Sequence, residues 1–163
     1  DYIIEKTVEL GVDRIIPIKT TRTIVEYSPE KAKEKLKRWQ AIAVEASKQC
    51  GRIKLPEIEP VTLFRDAVSK IKEYDLALIA NLGVDNQDLK GIMSNFSRCS
   101  GIPLKAGKGK SIIIFIGPEG DFSPREIKSA KESGCIGASL GDLILKVDTA
   151  AISVIAFLRL FTP

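Results

Sequence analysis

The segment Ile112-Ile113-Ile114-Phe115-Ile116-Gly117-Pro118-Glu119-Gly120-Asp121-Phe122-Ser123-Pro124-Arg125-Glu126 constrains the fold more than any other. Five bulky apolar residues in a row read as a buried, parallel strand. The strand ends abruptly in Gly-Pro-Glu-Gly, where two glycines let a ligand approach the backbone closely. A helix starts at once, with Ser123 as N-cap, Pro124 at the first helical position and Glu126 completing a capping box. Strand, glycine turn and capped helix put a loop at the carboxyl end of a sheet, where open α/β proteins bind ligands. An ordinary tight βα connection has the same pattern, so the segment alone does not decide function.

The rest of the chain repeats the alternation. Asp1 to Leu10 reads as a helix closed by Gly11, and Arg14 to Ile18 as a short strand. Ser28-Pro29-Glu30 opens a long helix to about Cys50, ended by Gly51, with Leu36, Trp39, Ala43 and Ala46 on one face. Thr62 is expected to cap a shorter helix in which Phe64, Ala67, Val68 and Ile71 recur at helical spacing. Asp75 to Ala80 is a second buried strand, followed by a loop over Asn81 to Asn86. Gly101 to Lys110 reads as a flexible loop. Beyond the helix Ser123–Ser133, Ile136 to Leu140 is a small-residue strand and Gly141 to Val147 a loop. Asp148 or Thr149 is expected to cap a last helix, Ala150 to Leu160, apolar nearly all round and therefore buried. The class is α/β with a mainly parallel sheet flanked by helices, in one domain over residues 1–163.

Composition narrows the chemistry. The 163 residues contain no histidine, which excludes histidine triads, histidine bases and most zinc or iron sites. Cys50, Cys99 and Cys135 are odd in number and far apart, suggesting neither a disulfide framework nor a metal site. A reducing, cytoplasmic setting fits. No apolar run spans a bilayer. The net charge of +4, from 25 Lys+Arg against 21 Asp+Glu, is compatible with nucleic acid.

Three groups of residues together carry a resemblance. The first is Glu5-Lys6-Thr7-Val8-Glu9-Leu10-Gly11-Val12 with Ile16-Pro17 and Thr21-Arg22. The second is Arg38-Trp39-Gln40 with Ala43, Gln49-Cys50-Gly51-Arg52 and Leu55-Pro56-Glu57-Ile58. The third is Ile116-Gly117-Pro118-Glu119-Gly120 with Leu140-Gly141, Leu145 and Thr149-Ala150. In this order they resemble the methyltransferase domain of the ribosomal RNA small subunit methyltransferase E family, in the SPOUT superfamily.

That resemblance implies a C-terminal deep trefoil knot binding S-adenosyl-L-methionine, and a homodimer as the working unit. It implies a 16S rRNA uridine, in the small ribosomal subunit, as substrate, methylated at ring N3. It also implies a PUA-like domain upstream of Asp1, outside this chain. The cofactor pocket would be formed by Ala80, Asn81 and Leu82; Ile116, Gly117, Pro118, Glu119 and Gly120; and Leu140, Gly141, Ile144, Leu145, Thr149 and Ala150. Glu119 would hold a ribose hydroxyl or face the cofactor's positive end; as a plain turn residue it would satisfy nearby amides instead. Leu140, Ile144 and Leu145 would wall the adenine, or simply pack in the core.

Loss of the uracil N3 proton leaves negative charge on the two flanking carbonyl oxygens, which a nearby cation stabilises. Lys146 is the candidate for that cation and Asp148 for the proton acceptor or cation-orienting group, with helix capping as the alternative for Asp148. The resemblance leads one to expect arginines and a Thr-Glu in this segment, where the chain has Leu143, Lys146, Val147 and Asp148. Arg22, Arg38, Arg52 and Lys54 are candidate RNA phosphate contacts. Trp39 belongs to the core, and Lys31, Lys33, Lys35 and Lys37 wrap around a helix as solvated surface. A non-catalytic RNA-binding or dimerisation module of the same fold is the competing reading. A general nucleotide-binding domain comes last, because its glycine motifs are missing.

Overall fold

The computed structural model describes residues 1–23, 28–83, 85–98 and 111–161. The chain packs into two compact units, one of Asp1–Phe64 with Lys146–Pro163 and one of Arg65–Leu145. Each is built on parallel strand pairs flanked by helices. The expected 101–110 loop lies outside the described residues.

In the first unit, helix α1 (Tyr2–Glu9) packs against α2 (Pro29–Gln49) and α6 (Val147–Phe161). Ile4 and Val8 of α1 meet Ala43 and Ala46 of α2 in a buried cluster, with Leu36 and Trp39 packed at its edge. The periodicity of α2 is thus its packing face, and Trp39 belongs to it. Ser28 caps α2 by accepting from the Lys31 amide, and Pro29 opens it. Gly11 ends α1 with φ +98°, a conformation that side chains with a Cβ rarely adopt.

Two expectations about this strand region need correction. The strand expected over Arg14–Ile18 is two strands, β1 (Arg14–Ile15) and β2 (Ile18–Lys19). Pro17 separates them; it has no N–H to donate, and its carbonyl accepts from the Thr62 amide at 2.9 Å. β1 pairs in parallel with β3 (Glu57–Ile58), and β2 with β4 (Thr62–Leu63). Thr62 is therefore a strand residue, not a helix cap. Its hydroxyl donates to the Pro60 carbonyl, and α3 (Phe64–Ser69) begins two residues later.

The last helix also starts earlier than expected. The Lys146 carbonyl accepts from the Ala150 amide at 2.8 Å, so Lys146 holds the N-cap position. Asp148 lies inside the first turn of α6, where the helix dipole favours a carboxylate, and its Oδ1 accepts from the Thr149 amide. Nor is this helix buried all round: Ala150, Ala151 and Val154 are buried, but Leu160 is 86% exposed.

In the second unit, β5 (Leu76–Ala80), β6 (Gln87–Asp88), β7 (Ile112–Ile116) and β8 (Ile136–Ser139) form one parallel sheet in the order β6-β8-β5-β7. β5 is buried along its whole length, as its apolar run requires. β7 beside it is half-buried except for Phe115. Phe64, Ala67, Val68 and Ile71 are all buried, across α3 and the following 3₁₀ turn Lys70–Glu73. Helix α4 (Leu89–Arg98) has no counterpart in the sequence reading, although Leu89, Ile92 and Met93 are buried at helical spacing. Helix α5 (Pro124–Glu132) carries the expected capping box in full.

Arg52 holds the first unit together at the end of α1. Its guanidinium donates to the carbonyls of Val8 (3.2 Å) and Val12 (2.6 Å) and to Asp13 Oδ1 (3.2 Å). Val8 lies in the last turn of the helix, where its carbonyl also accepts from the Gly11 amide, and Val12 lies in the turn that follows. Replacement by Ala is expected to cost about 2 kcal/mol, the scale of losing charge-assisted bonds to half-buried acceptors. Urea unfolding measures it, and an unchanged midpoint would remove Arg52 from this role.

Candidate active site

Strand register sets the site. Ala80, the last residue of β5, pairs with Ile116, the last of β7, and with Ala138 of β8. The loops after the three strands, beginning at Asn81, Gly117 and Leu140, therefore leave the sheet side by side. This is the carboxyl edge where α/β sheets bind ligands. The expected pocket residues Ala80, Asn81 and Leu82, Ile116 to Gly120, and Leu140, Gly141, Ile144 and Leu145 all belong to this unit.

Within the first loop, Asn81 Oδ1 accepts from the Gly83 amide at 2.7 Å and from Asn86 Nδ2 at 3.0 Å. Asn86 Nδ2 also donates to the Asn81 carbonyl. The Asn81 side chain thus shapes its own loop. The second loop closes as a turn, with the Asp121 amide donating to the Pro118 carbonyl at 2.8 Å. Asp121 was not singled out in the sequence, yet it joins the two loops. Its Oδ2 accepts from the Leu82 amide at 3.2 Å, while Oδ1 accepts from the Phe122 amide at 2.7 Å.

Gly117 has a use other than the expected one. A Cβ there would stand 3.1 Å from Asp121 Oδ1 and 3.2 Å from the Phe122 ring. Its missing side chain lets the turn fold back on itself, with Phe122 fully buried. The Ser123 amide at this helix start is taken by another carboxylate. Glu126 Oε2 accepts from the Ser123 amide and hydroxyl, both at 2.8 Å. Glu119 is left exposed at the turn.

Three large apolar side chains of these loops face solvent: Leu82, Leu143 and Ile144 are 63, 78 and 81% exposed. Core packing is thereby ruled out for Ile144 in this chain, whereas Leu140 and Leu145 are half-buried. Lys146, Asp148, Thr149 and Ala150 follow directly in the chain, at the start of α6 in the first unit. Lys146 and Thr149 are exposed, Asp148 is half-buried and Ala150 buried.

Of the candidate RNA contacts, Arg22 and Lys54 are exposed, and Arg38 is exposed while paired with Asp1. Arg52 departs from the expectation: its guanidinium bonds the Val8 and Val12 carbonyls and Asp13. Among the described residues no group of acidic, cysteine or histidine side chains could hold a metal ion. No helix there is long and apolar enough to cross a membrane.

A parallel α/β sheet with three aligned strand-end loops is the scaffold of a ligand-binding enzyme domain, and comparison with known proteins makes it specific. Residues 1–159 match the RNA methyltransferase domain family, and the chain belongs to it. Ribosomal RNA small subunit methyltransferase E of Bacillus subtilis is 32% identical over 161 residues, covering 96% of this chain and 60% of that protein. The crystal structure of the Neisseria gonorrhoeae methyltransferase E bound to S-adenosylmethionine superposes with a TM-score of 0.79 at 30% identity, covering 98% of this chain and 59% of that one. A Legionella pneumophila structure with bound S-adenosylmethionine gives a TM-score of 0.82 at 29% identity, over 98% of this chain and 60% of that one. These relatives uphold the methyltransferase E resemblance read from the motifs. The chain spans about three fifths of their length.

Gly117→Ala is expected to push Asp121 and Phe122 apart and to cost about 1–3 kcal/mol, the usual scale of an overpacked site. Thermal unfolding measures the cost. A melting temperature equal to wild type would mean that the turn absorbs the methyl group freely.

Proposed function

We propose that this chain is the cofactor-binding and catalytic part of an S-adenosylmethionine-dependent rRNA methyltransferase. It transfers a methyl group to ring N3 of a uridine in 16S rRNA, within or derived from the small ribosomal subunit. The observation that supports this most strongly is the agreement with the S-adenosylmethionine-bound methyltransferase E structure over nearly the whole chain.

The residues present suit the cofactor. Leu82 and Ile144 offer exposed apolar surface for an adenine ring, and Gly117 to Gly120 and Leu140 to Gly141 offer backbone groups for its edge and ribose. Glu119, exposed and not needed by the helix cap, is the carboxylate for a ribose hydroxyl or the positive end of the ligand. S-adenosylmethionine supplies an electrophilic methyl on a sulfonium, so neither a metal nor a covalent enzyme intermediate is required.

The chain's own part is alignment and charge. Lys146, exposed at the start of α6, stabilises the uracil anion through its ammonium. Asp148 is steadied by the Thr149 amide at one oxygen, leaving the other to take the N3 proton or to orient Lys146. Arg22, Arg38 and Lys54 are the surface cations for RNA phosphates. The half-open apolar face of α6, with Leu160 exposed, supports a homodimer. A deep trefoil knot in the C-terminal part, an upstream PUA-like domain and a cytoplasmic site of action complete the reading.

One observation favours the module reading: Leu143, Lys146 and Asp148 stand where the resemblance leads one to expect two arginines and a glutamate. Calorimetry with S-adenosylmethionine and S-adenosylhomocysteine, using ATP and NAD as controls, tests the enzyme. Micromolar binding of the first pair alone is expected; a folded chain that binds neither would contradict it. Lys146→Ala is expected to lower methyl transfer about a hundredfold, as when one transition-state donor is removed, with cofactor affinity unchanged. Wild-type turnover in that variant would take Lys146 out of the mechanism.

A further inference from the structure

We propose that Asp121 is a positioning residue that locks two of the cofactor loops together and thereby sets cofactor affinity. The proposal rests on the S-adenosylmethionine reading above and adds to it a residue that neither the motifs nor the resemblance marks.

Asp121 has φ +59°, the left-handed region, and among the described residues no other non-glycine residue shares it. Side chains with a Cβ are disfavoured there, though Asp tolerates it better than most. A strained backbone is retained only where the surroundings over-determine it. At this position the determinants are visible. The turn bond from the Asp121 amide to the Pro118 carbonyl fixes the backbone, and both carboxylate oxygens are used. Oδ1 accepts from the next amide, Phe122, which aims the carboxylate. Oδ2 then accepts from Leu82, 39 residues away in sequence, on the neighbouring loop.

Leu82 needs such a tie. Its side chain is largely exposed, so packing does not hold it, and the Asn81 and Asn86 bonds described above shape the loop from within. Gly117 makes room for Asp121, since a Cβ there would approach Oδ1 to 3.1 Å. Gly117, Asp121 and Leu82 thus form one device at the ends of β5 and β7. A loop held in its binding geometry before the ligand arrives loses less freedom on binding.

Asp121→Gly separates positioning from mere structure. Glycine adopts φ +59° without penalty, so the melting temperature is expected to stay within a few degrees of wild type. The two carboxylate bonds vanish, so hydrogen exchange at the Leu82 amide is expected to rise and S-adenosylmethionine to bind about tenfold more weakly, the scale of one lost hydrogen bond. Asp121→Asn tolerates the same backbone and keeps a single acceptor oxygen, so an intermediate affinity is expected even if the glycine variant misfolds. Wild-type affinity in both variants, or a fall in melting temperature with affinity preserved, would overturn the proposal. If wild type itself binds no S-adenosylmethionine, the underlying functional reading fails and the proposal falls with it.

Discussion

The pairing of β5 with β7 and β8 is the constraint on which the site depends. Five consecutive pairs, from Leu76 with Ile112 to Ala80 with Ile116, hold β5 and β7 level. A slip of one residue would turn the β7 side chains to the opposite face and misalign the two exit loops. β5 is buried along its whole length, so any such slip also exposes apolar surface, at about 25 cal/mol per Å². At the other end of the same strands, Asp75 Oδ2 accepts from the Ser111 amide (2.8 Å) and hydroxyl (2.9 Å). The register is thereby pinned at the start and read out at the end, where the loops begin.

What the sequence made legible follows from the range of the forces involved. The apolar runs at 76–80 and 112–116 need only their own composition to declare strands, although β7 is half-buried except for Phe115 where a buried strand is expected. The Ser123–Glu126 capping box is local, and so is the apolar face of α2, so both came through unchanged. The two-residue strands β1, β2, β3 and β4 are different: each exists because a partner about 43 residues away supplies its hydrogen bonds. Thr62 reads as a cap in isolation and becomes a strand residue through Ile18. α4 was readable from Leu89, Ile92 and Met93 but is flanked by weak signals. The start of α6 turned on a backbone carbonyl at Lys146, which side-chain preferences do not report.

At the site the same division holds. The glycine turn and the strand-end loops were visible, and the family was recognisable from residues scattered along the chain. Which atom serves which purpose was not. Arg52 reads as a candidate phosphate contact by its charge; its carbonyl partners Val8 and Val12, in α1 and the turn after it, lie 44 and 40 residues upstream. Gly117 looked like space for a ligand and is first of all space for Asp121. Asp121 itself was hidden because its partner Leu82 belongs to another loop. Such residues are found by asking where each buried or strained polar group spends its hydrogen bonds.

A methyl-transfer reaction is tested most directly by its product. The full-length protein, incubated with isotopically labelled S-adenosylmethionine and unmethylated small-subunit rRNA, should place label in 16S rRNA. Nuclease digestion and mass spectrometry should then recover that label as N3-methyluridine at a single position. Label on another base or ring atom would contradict the assignment of substrate. No transfer by a folded, cofactor-binding protein would contradict the enzyme itself and leave an RNA-binding module of the same fold.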